Sequence, residues 1–260
     1  MNSSSMTDKR LTPTQIQIPR WSALEFERLV LAGTPKVAVF DCDGTLWSGD
    51  SGVGFMNWSI EQGLVSRSTS DWLDARYRAY MAGKVSEPDI CGEMVQIYVG
   101  LREQELRDAA ARFVHEFVPP RIFAEMAALV AALGQAGAEI WAVSSTNRWV
   151  VAEGVRVFGI PEERILAADA RIENGLISSE ILDVPTGEGK AASLARAGLA
   201  HPDVAFGNSI HDLAMLKAAR HAFPVNPSPG LIEAAAKNGW GCFQPKEAES
   251  VQAAVPGKSS

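Results

Sequence analysis

Three short apolar runs, each ending in a polar loop, constrain this chain more than any other feature. Val37-Ala38-Val39-Phe40 runs into Asp41-Cys42-Asp43-Gly44-Thr45, Ile140 to Val143 into Ser144-Ser145-Thr146-Asn147, and Val204-Ala205-Phe206 into Gly207-Asn208-Ser209-Ile210-His211-Asp212. Short continuous apolar runs of this kind are the pattern of strands covered on both faces. Helical spacing fills the intervals: Leu24, Phe26, Leu29 and Val30 ahead of the first run, an Ala-rich stretch ending at Leu133, then Val150–Phe158 and Gly189–Ala197. Asn174-Gly175 marks a hairpin turn after a short strand, and weaker strands lie near Ala222–Val225 and Gly241–Phe243. The alternation predicts an α/β fold, a parallel sheet with helices on both faces, whose ligands sit outside the carboxyl ends of the strands. From Ser51 to Val118 the strand pattern stops. Helical patterns recur there at Val53–Gln62, Asp71–Met81, Pro88–Val99 and Glu103–Phe117, which reads as a helical insertion.

Composition narrows the function classes. With 31 acidic against 24 basic residues the formal charge is −7, and no dense Lys/Arg block offers the footprint that a nucleic-acid backbone requires. No apolar run reaches the ~20 residues of a membrane span, and residues 1–20 lack the apolar core of a signal peptide. Cys42, Cys91 and Cys242 form no CxxC pair and have no neighbouring His at metal-ligand spacing, so neither a disulfide framework nor a zinc site is expected. A cytoplasmic protein without nucleic-acid or membrane partners is the expectation; the sequence carries no reading of oligomeric state. Residues 1–20 and 251–260 read as flexible tails.

The polar tips carry the chemistry. Asp41 and Asp43 flank Cys42, so in extended backbone their side chains share one side, with one carboxylate placed to attack and the other to move a proton. The same residues also read as a plain strand-ending turn. Ser144 and Ser145 supply hydroxyls and N–H groups suited to phosphate oxygens, or simply cap the next helix. Asn208 and Asp212 are oxygen donors of the kind that hold Mg²⁺, or equally a polar loop before a helix. Lys190 follows Gly187-Glu188-Gly189, yet a P-loop would require Gly at 184 and Ser or Thr at 191, where Val184 and Ala191 stand. Gly52-Val53-Gly54 lacks the third glycine of a dinucleotide fingerprint, with Asn57 in its place.

Taken in order, Phe40-Asp41-Cys42-Asp43-Gly44-Thr45-Leu46, Val143-Ser144, Lys190 and Gly207-Asn208-Ser209-Ile210-His211-Asp212 resemble the four motifs of the haloacid dehalogenase superfamily, over roughly residues 36–245. The best-fitting subfamily is the phosphoserine-phosphatase-like one, which carries a β-hairpin where this chain has Asn174-Gly175. The resemblance implies a Rossmann-like core of residues 21–47 and 119–250 and a C1-type helical cap of residues 48–118. It implies a Mg²⁺-dependent phosphomonoesterase acting on a small phosphorylated metabolite. In it Asp41 is nucleophile and metal ligand, and Asp43 is acid and base with its carbonyl on the metal. Gly44, Thr45, Ser144, Ser145 and Lys190 bind the phosphate, with Thr45 also orienting the turn and Lys190 neutralising charge, and Asn208 and Asp212 complete the metal set. Asp43 also favours a phosphatase over a dehalogenase, because displacing a halide needs no general acid. The family usually has Asp where this chain has Asn208. That departure keeps a second class open, a catalytically weak phosphate-binding or regulatory member of the same fold.

The substrate is read less directly. Asp50 stands where phosphoserine phosphatases place an acidic residue against the substrate's amino group, and Trp47, with Trp58 and Trp72, offers rings for a cationic head. Phosphoserine, phosphoethanolamine and phosphocholine are the candidates. A phosphoserine carboxylate would require a basic partner, for which Arg148, Arg67, Arg76 and Arg78 are available.

Overall fold

In the computed structural model, which describes residues 17–246, the apolar runs lie side by side. A two-residue strand β1 (Arg20–Trp21) and helix α1 (Ala23–Ala32) lead into β2 (Val37–Phe40). Four helices follow, α2 (Ser51–Glu61), α3 (Arg67–Met81), α4 (Glu87–Gln96) and α5 (Glu103–Phe117), and then α6 (Ala124–Gln135) and β3 (Glu139–Asn147). Helix α7 (Arg148–Val155) precedes the hairpin β4 (Ile165–Glu173) and β5 (Leu176–Asp183). The chain continues through α8 (Glu188–Arg196), β6 (Val204–Gly207), α9 (Leu213–Ala218), β7 (His221–Pro224), α10 (Pro229–Asn238) and β8 (Cys242–Phe243). The main sheet has the order β5-β4-β3-β2-β6-β7, parallel except for the β4–β5 pair. This is the α/β fold that the alternation predicts.

Strand β2 is central because every residue after its first is fully enclosed: Ala38, Val39 and Phe40 are 0% exposed. The period-two alternation of a strand sorts them between two cores. Ala38 and Phe40 face the larger core with Phe26 of α1 and Leu129 of α6, while Val39 faces the smaller one with Leu194 of α8, Met215 of α9 and Leu231 of α10. Aromatic stacking ties the first face together: Phe40 on Phe206 at 4.2 Å, and Phe26 on Phe243 at 4.4 Å. The register aligns Phe40 with Ala142 and with Phe206, so the tips of β2, β3 and β6 share one edge. Strand order also reverses at β2, with β3 and β6 on opposite sides, which is where open α/β sheets leave a crevice.

The structure differs from the sequence reading in extent. Strand β3 reaches Asn147, well past Val143, and its pairing with β4 shifts register between Val143 and Asn147, so the polar tip is itself strand-like. The short strand expected before the hairpin is nine residues long, with Asn174 and Gly175 both at positive φ, +52° and +77°, as a tight turn between twisted strands requires. Arg20, assigned by composition to the N-terminal tail, lies in β1, because the Pro19 carbonyl accepts the Cys242 N–H at 2.8 Å and Trp21 packs on Phe26 and Phe223. Of the two predicted tails, residues 1–16 and 251–260 lie outside the described residues.

Helices α2–α5 leave the sheet and return to it at one place. Ser48 N–H donates to the Arg121 carbonyl at 2.9 Å and Phe123 N–H to the Leu46 carbonyl at 3.0 Å, so the outgoing and returning segments are hydrogen-bonded to each other. Their far side rests on the hairpin, where Gly100 N–H meets the Ile177 carbonyl and Glu103 N–H the Gly175 carbonyl. Among the described residues no helix is long and apolar enough to cross a membrane.

Phe26 joins α1 to the sheet through its stack on Phe243 and edge contacts with Phe206 and Phe223. Phe26→Ala should lower the unfolding free energy by about 3–5 kcal/mol in denaturant titration, the usual cost of emptying a packed aromatic site; a loss below about 1 kcal/mol would mean that the stack does not hold α1.

Candidate active site

The edge where the three tips meet is built around Asp41, the first residue past β2. Its N–H continues the sheet ladder to the Phe206 carbonyl at 2.9 Å, and the chain then turns back on itself, with Leu46 N–H on the Cys42 carbonyl at 2.8 Å and Gly44 N–H on the Trp47 carbonyl at 2.7 Å. Gly44 is required twice over: its φ is +79°, and a Cβ there would lie 2.0 Å from Nδ2 of Asn208. The Asn208 side chain therefore packs against the turn with its amide nitrogen nearest Gly44. Asn226 braces the same turn by donating from Nδ2 to the Gly44 carbonyl at 3.1 Å.

Asp41 is 6% exposed and is held on both oxygens. Lys190 Nζ donates to Oδ1 at 2.6 Å and Thr45 Oγ1 to Oδ2 at 2.9 Å. Lys190 is 2% exposed and also reaches Oδ1 of Asp212 at 2.6 Å and the Val143 carbonyl at 2.9 Å. One ammonium thus faces two carboxylates, leaving the buried trio with a net negative charge. Burial works against the Lys190 charge, and the Asp212 and Asp41 carboxylates more than offset it, so its pKa stands above the ordinary lysine value. For Asp41 burial raises the pKa, the Asp212 charge raises it further, and Lys190 restrains the rise. Asp212 is positioned by its own loop: its Oδ2 accepts the N–H groups of Asn208 and Ser209, each at 2.9 Å.

Asp43, two residues on, is fixed from three directions. Trp47 Nε1 and the Ser51 N–H donate to Oδ1 at 2.7 and 2.8 Å, and Thr146 Oγ1 reaches Oδ2 at 2.7 Å. A hydroxyl can donate or accept, so Thr146 can hold Asp43 in either protonation state. Ser144 is buried, and its Oγ accepts the Thr146 N–H at 3.1 Å; Ser145 lines the cavity beside the site.

The structure brings Asp41, Asp43, Gly44, Thr45, Ser144, Ser145, Lys190, Asn208 and Asp212 to one edge. Asp50 lines the adjoining cavity and caps α2 by accepting the Val53 N–H at 2.8 Å. Two expected substrate contacts are corrected. Trp47 is 0% exposed and stacks on Phe158, so its ring belongs to the core and its N–H to Asp43. Arg148 turns away to Asp169, at 3.8 Å, and to the Glu162 carbonyl. Trp58 packs on Phe55 and Phe113, and neither it nor Trp72 lines the cavity. Two contacts escaped the sequence reading. Thr146 had a signal, since it stands two residues after Ser144 at the end of a strand and so shares its side. Glu87 had none: at the start of α4 it accepts from Thr186 Oγ1 at 2.6 Å and pairs with His211 Nε2 at 2.5 Å, partners 99 residues away and farther still.

Comparison with known proteins follows the same lines. The chain is 28% identical over 233 residues to a probable phosphatase of Mycobacterium tuberculosis, covering 86% of this chain and 80% of that protein. It is 25% identical over 218 residues to a histidinol-phosphatase of Neisseria meningitidis, covering 79% and 96%. Among solved structures, a protein of unknown function from Bordetella pertussis superposes with a TM-score of 0.71 at 22% identity, over 87% of this chain and 99% of that one. A substrate-bound phosphoserine phosphatase superposes at 0.53 and 15% identity over 85% and 99%, a likeness of fold. The model of the haloacid dehalogenase-like hydrolases matches residues 38–217, which contain Asp41, Asp43, Lys190 and Asp212, and the chain belongs to that family.

Proposed function

We propose that the chain hydrolyses small phosphomonoesters through a covalent phospho-aspartate at Asp41. The observation that carries this reading is the shared ammonium: a buried carboxylate held 2.6 Å from Lys190, with a second, rigidly held carboxylate two residues further on. The names of the Mycobacterium and Neisseria relatives support it. A carboxylate oxygen of Asp41 attacks phosphorus, the bond to the ester oxygen breaks, and Asp43 gives its proton to that oxygen so that an alcohol leaves. Asp43, now ionised, takes a proton from water, the oxygen of that water attacks phosphorus, and the Asp41 carboxylate is released with inorganic phosphate. Lys190, the Ser144 hydroxyl and nearby backbone N–H groups face the charge that spreads over the phosphoryl oxygens. Helices α2–α5 serve in this reading as a cap, with limits near Ser48 and Pro119, that keeps bulk water from the acyl phosphate.

The donor set suits Mg²⁺. The Asp41 and Asp212 carboxylates, the Asp43 carbonyl and the Asn208 amide are all hard oxygen ligands, and the trio with Lys190 retains a negative charge for a cation to balance. Among the described residues no three or more His, Cys, Asp or Glu side chains gather as a metal site, so Asn208 and the Asp43 carbonyl have to complete this one. Bound there, Mg²⁺ would supply positive charge against the phosphoryl oxygens.

Three measurements test this reading. Asp41→Asn should cut turnover by about a thousandfold or more and abolish the acid-stable mass increase of a trapped phospho-enzyme; wild-type rates would end the proposal. Asp43→Asn should slow alkyl phosphates about 10²–10⁴-fold while sparing the first-step burst on p-nitrophenyl phosphate, whose leaving group needs no proton; equal losses on both would remove the acid role. Asn208→Asp should tighten Mg²⁺ about three- to tenfold in calorimetry and lower the Mg²⁺ concentration for half-maximal activity, since a charged ligand replaces a neutral one; unchanged affinity would remove Asn208 from the ligand set.

A further inference from the structure

Glu87 opens α4, within the helical excursion, yet both of its carboxylate oxygens are bound at the sheet edge. Oε1 accepts the Thr186 hydroxyl at 2.6 Å, and Oε2 meets Nε2 of His211 at 2.5 Å with the Tyr80 hydroxyl 3.5 Å away. The helix start that carries Glu87 is fixed in its own right: Ser86 Oγ accepts the Asp89 N–H at 3.2 Å, and Pro88 sets the backbone of the first turn. The Glu87 side chain is only 14% exposed, and a carboxylate withdrawn this far from water depends on such partners. Imidazole donates through Nε2–H in its neutral as well as its charged form, so the contact requires no charge on His211.

Its two partners belong to the two loops that deliver Lys190 and Asp212. Thr186 is buried, and its carbonyl accepts the Gly189 N–H at 2.8 Å, at the opening of α8 just ahead of Lys190. His211 directly precedes Asp212 in a single 3₁₀ turn, Ile210–Asp212, which Ser209 caps. Lys190 and Asp212 meet at 2.6 Å, so one residue of the excursion braces both sides of that ion pair. Contacts further along the excursion lead elsewhere: Gln96 Nε2 donates to the Ser179 carbonyl at 3.0 Å, and Arg107 Nη1 to Glu162 at 2.7 Å.

We propose that Glu87 is a positioning residue for this edge: from α4 it clamps the loops of Lys190 and Asp212, so that the trio keeps its cation-binding geometry only while α4 is seated. The proposal rests on the reading above for the identity of the cation site, and it gives Glu87 no contact with the reacting atoms. Glu87 acts through Thr186 and His211, whose loops would otherwise relax independently. The consequence is a linkage: loosening the start of α4 weakens Mg²⁺ binding although α2–α5 supply none of the ligands assigned above.

Amide hydrogen exchange without metal and calorimetric titration with MgCl₂, both on the full chain, test this. Glu87→Ala should speed exchange of the Asn208 and Ser209 N–H groups, which Asp212 holds, by at least about fivefold and weaken Mg²⁺ by at least about threefold. Gln96→Ala removes a contact of the same helix that misses both loops, and should change either quantity by less than about twofold. Glu87→Gln keeps an acceptor for Thr186 and an amide that can donate to neutral imidazole, and should recover most of the loss. Glu87→Ala and His211→Ala together should cost less than the sum of their separate effects, because both break one bond. If Glu87→Ala does not fold, Thr186→Val carries the test, with Mg²⁺ expected to weaken at least about twofold. No change in exchange or in Mg²⁺ affinity, equal losses in Gln96→Ala, no recovery in Glu87→Gln, or additive losses with His211→Ala would overturn the proposal. Wild-type protein that binds no Mg²⁺ would end the cation site instead, and the metal-free exchange rates would then decide the role of Glu87.

Discussion

A buried ammonium between two buried carboxylates is costly to assemble unless every partner is held in place, and in this chain the fold does the holding. Lys190 comes from the start of α8, Asp41 from the end of β2, and Asp212 from the loop after β6, three segments that meet only because the strands are parallel and in register. Removing Lys190 would leave two carboxylates facing each other in a region with almost no access to water, where an unpaired ion costs several kcal/mol, whereas removing one carboxylate leaves an ion pair behind. The Lys190 bond to the Val143 carbonyl extends the arrangement to β3, so all three strand tips share one cation. The sheet positions the trio, and the trio fastens the tips.

Around this centre several polar residues are held by short local contacts. Asp212 takes the N–H groups of its own loop, and Asn208 packs where Gly44 leaves space. Asp43 is different, because its donors come from its own turn, from the first turn of α2 and from β3. Its orientation therefore depends on how the helical segment seats against the sheet.

Much of this was readable from the residues alone. The apolar runs at Val37–Phe40 and Val204–Phe206 have the pattern of enclosed strands, and a strand followed by Asp-Cys-Asp-Gly-Thr or by Gly-Asn-Ser-Ile-His-Asp delivers those side chains to the sheet edge. The order of the tips with Lys190 between them was enough to gather the edge and to indicate the family. What failed to show was pairing across long separations. Trp47 has the composition of a ligand contact, yet its ring is needed inside the core and its N–H is taken by Asp43; Arg148 sits beside the site in sequence, but Asp169 and the Glu162 carbonyl, brought near by the β3–β4 register, draw it away. Glu87 and Thr186 are joined across 99 residues, and no local pattern encodes that.

The paired hydrogen bonds at Ser48–Arg121 and Leu46–Phe123 bear on how such a chain can change over generations. Because the segment between them departs and returns at a single point, the sheet meets it as a closed excursion. Loop-closure entropy rises only with the logarithm of length, so residues can be gained or lost between Ser48 and Arg121 at little expense to the strands outside. The wall of the cavity beside the strand tips is drawn largely from this excursion, whereas Asp41, Lys190 and Asp212 lie beyond it. The cavity wall and the buried trio are thereby encoded in separable stretches of sequence, and one can diversify while the other stays fixed.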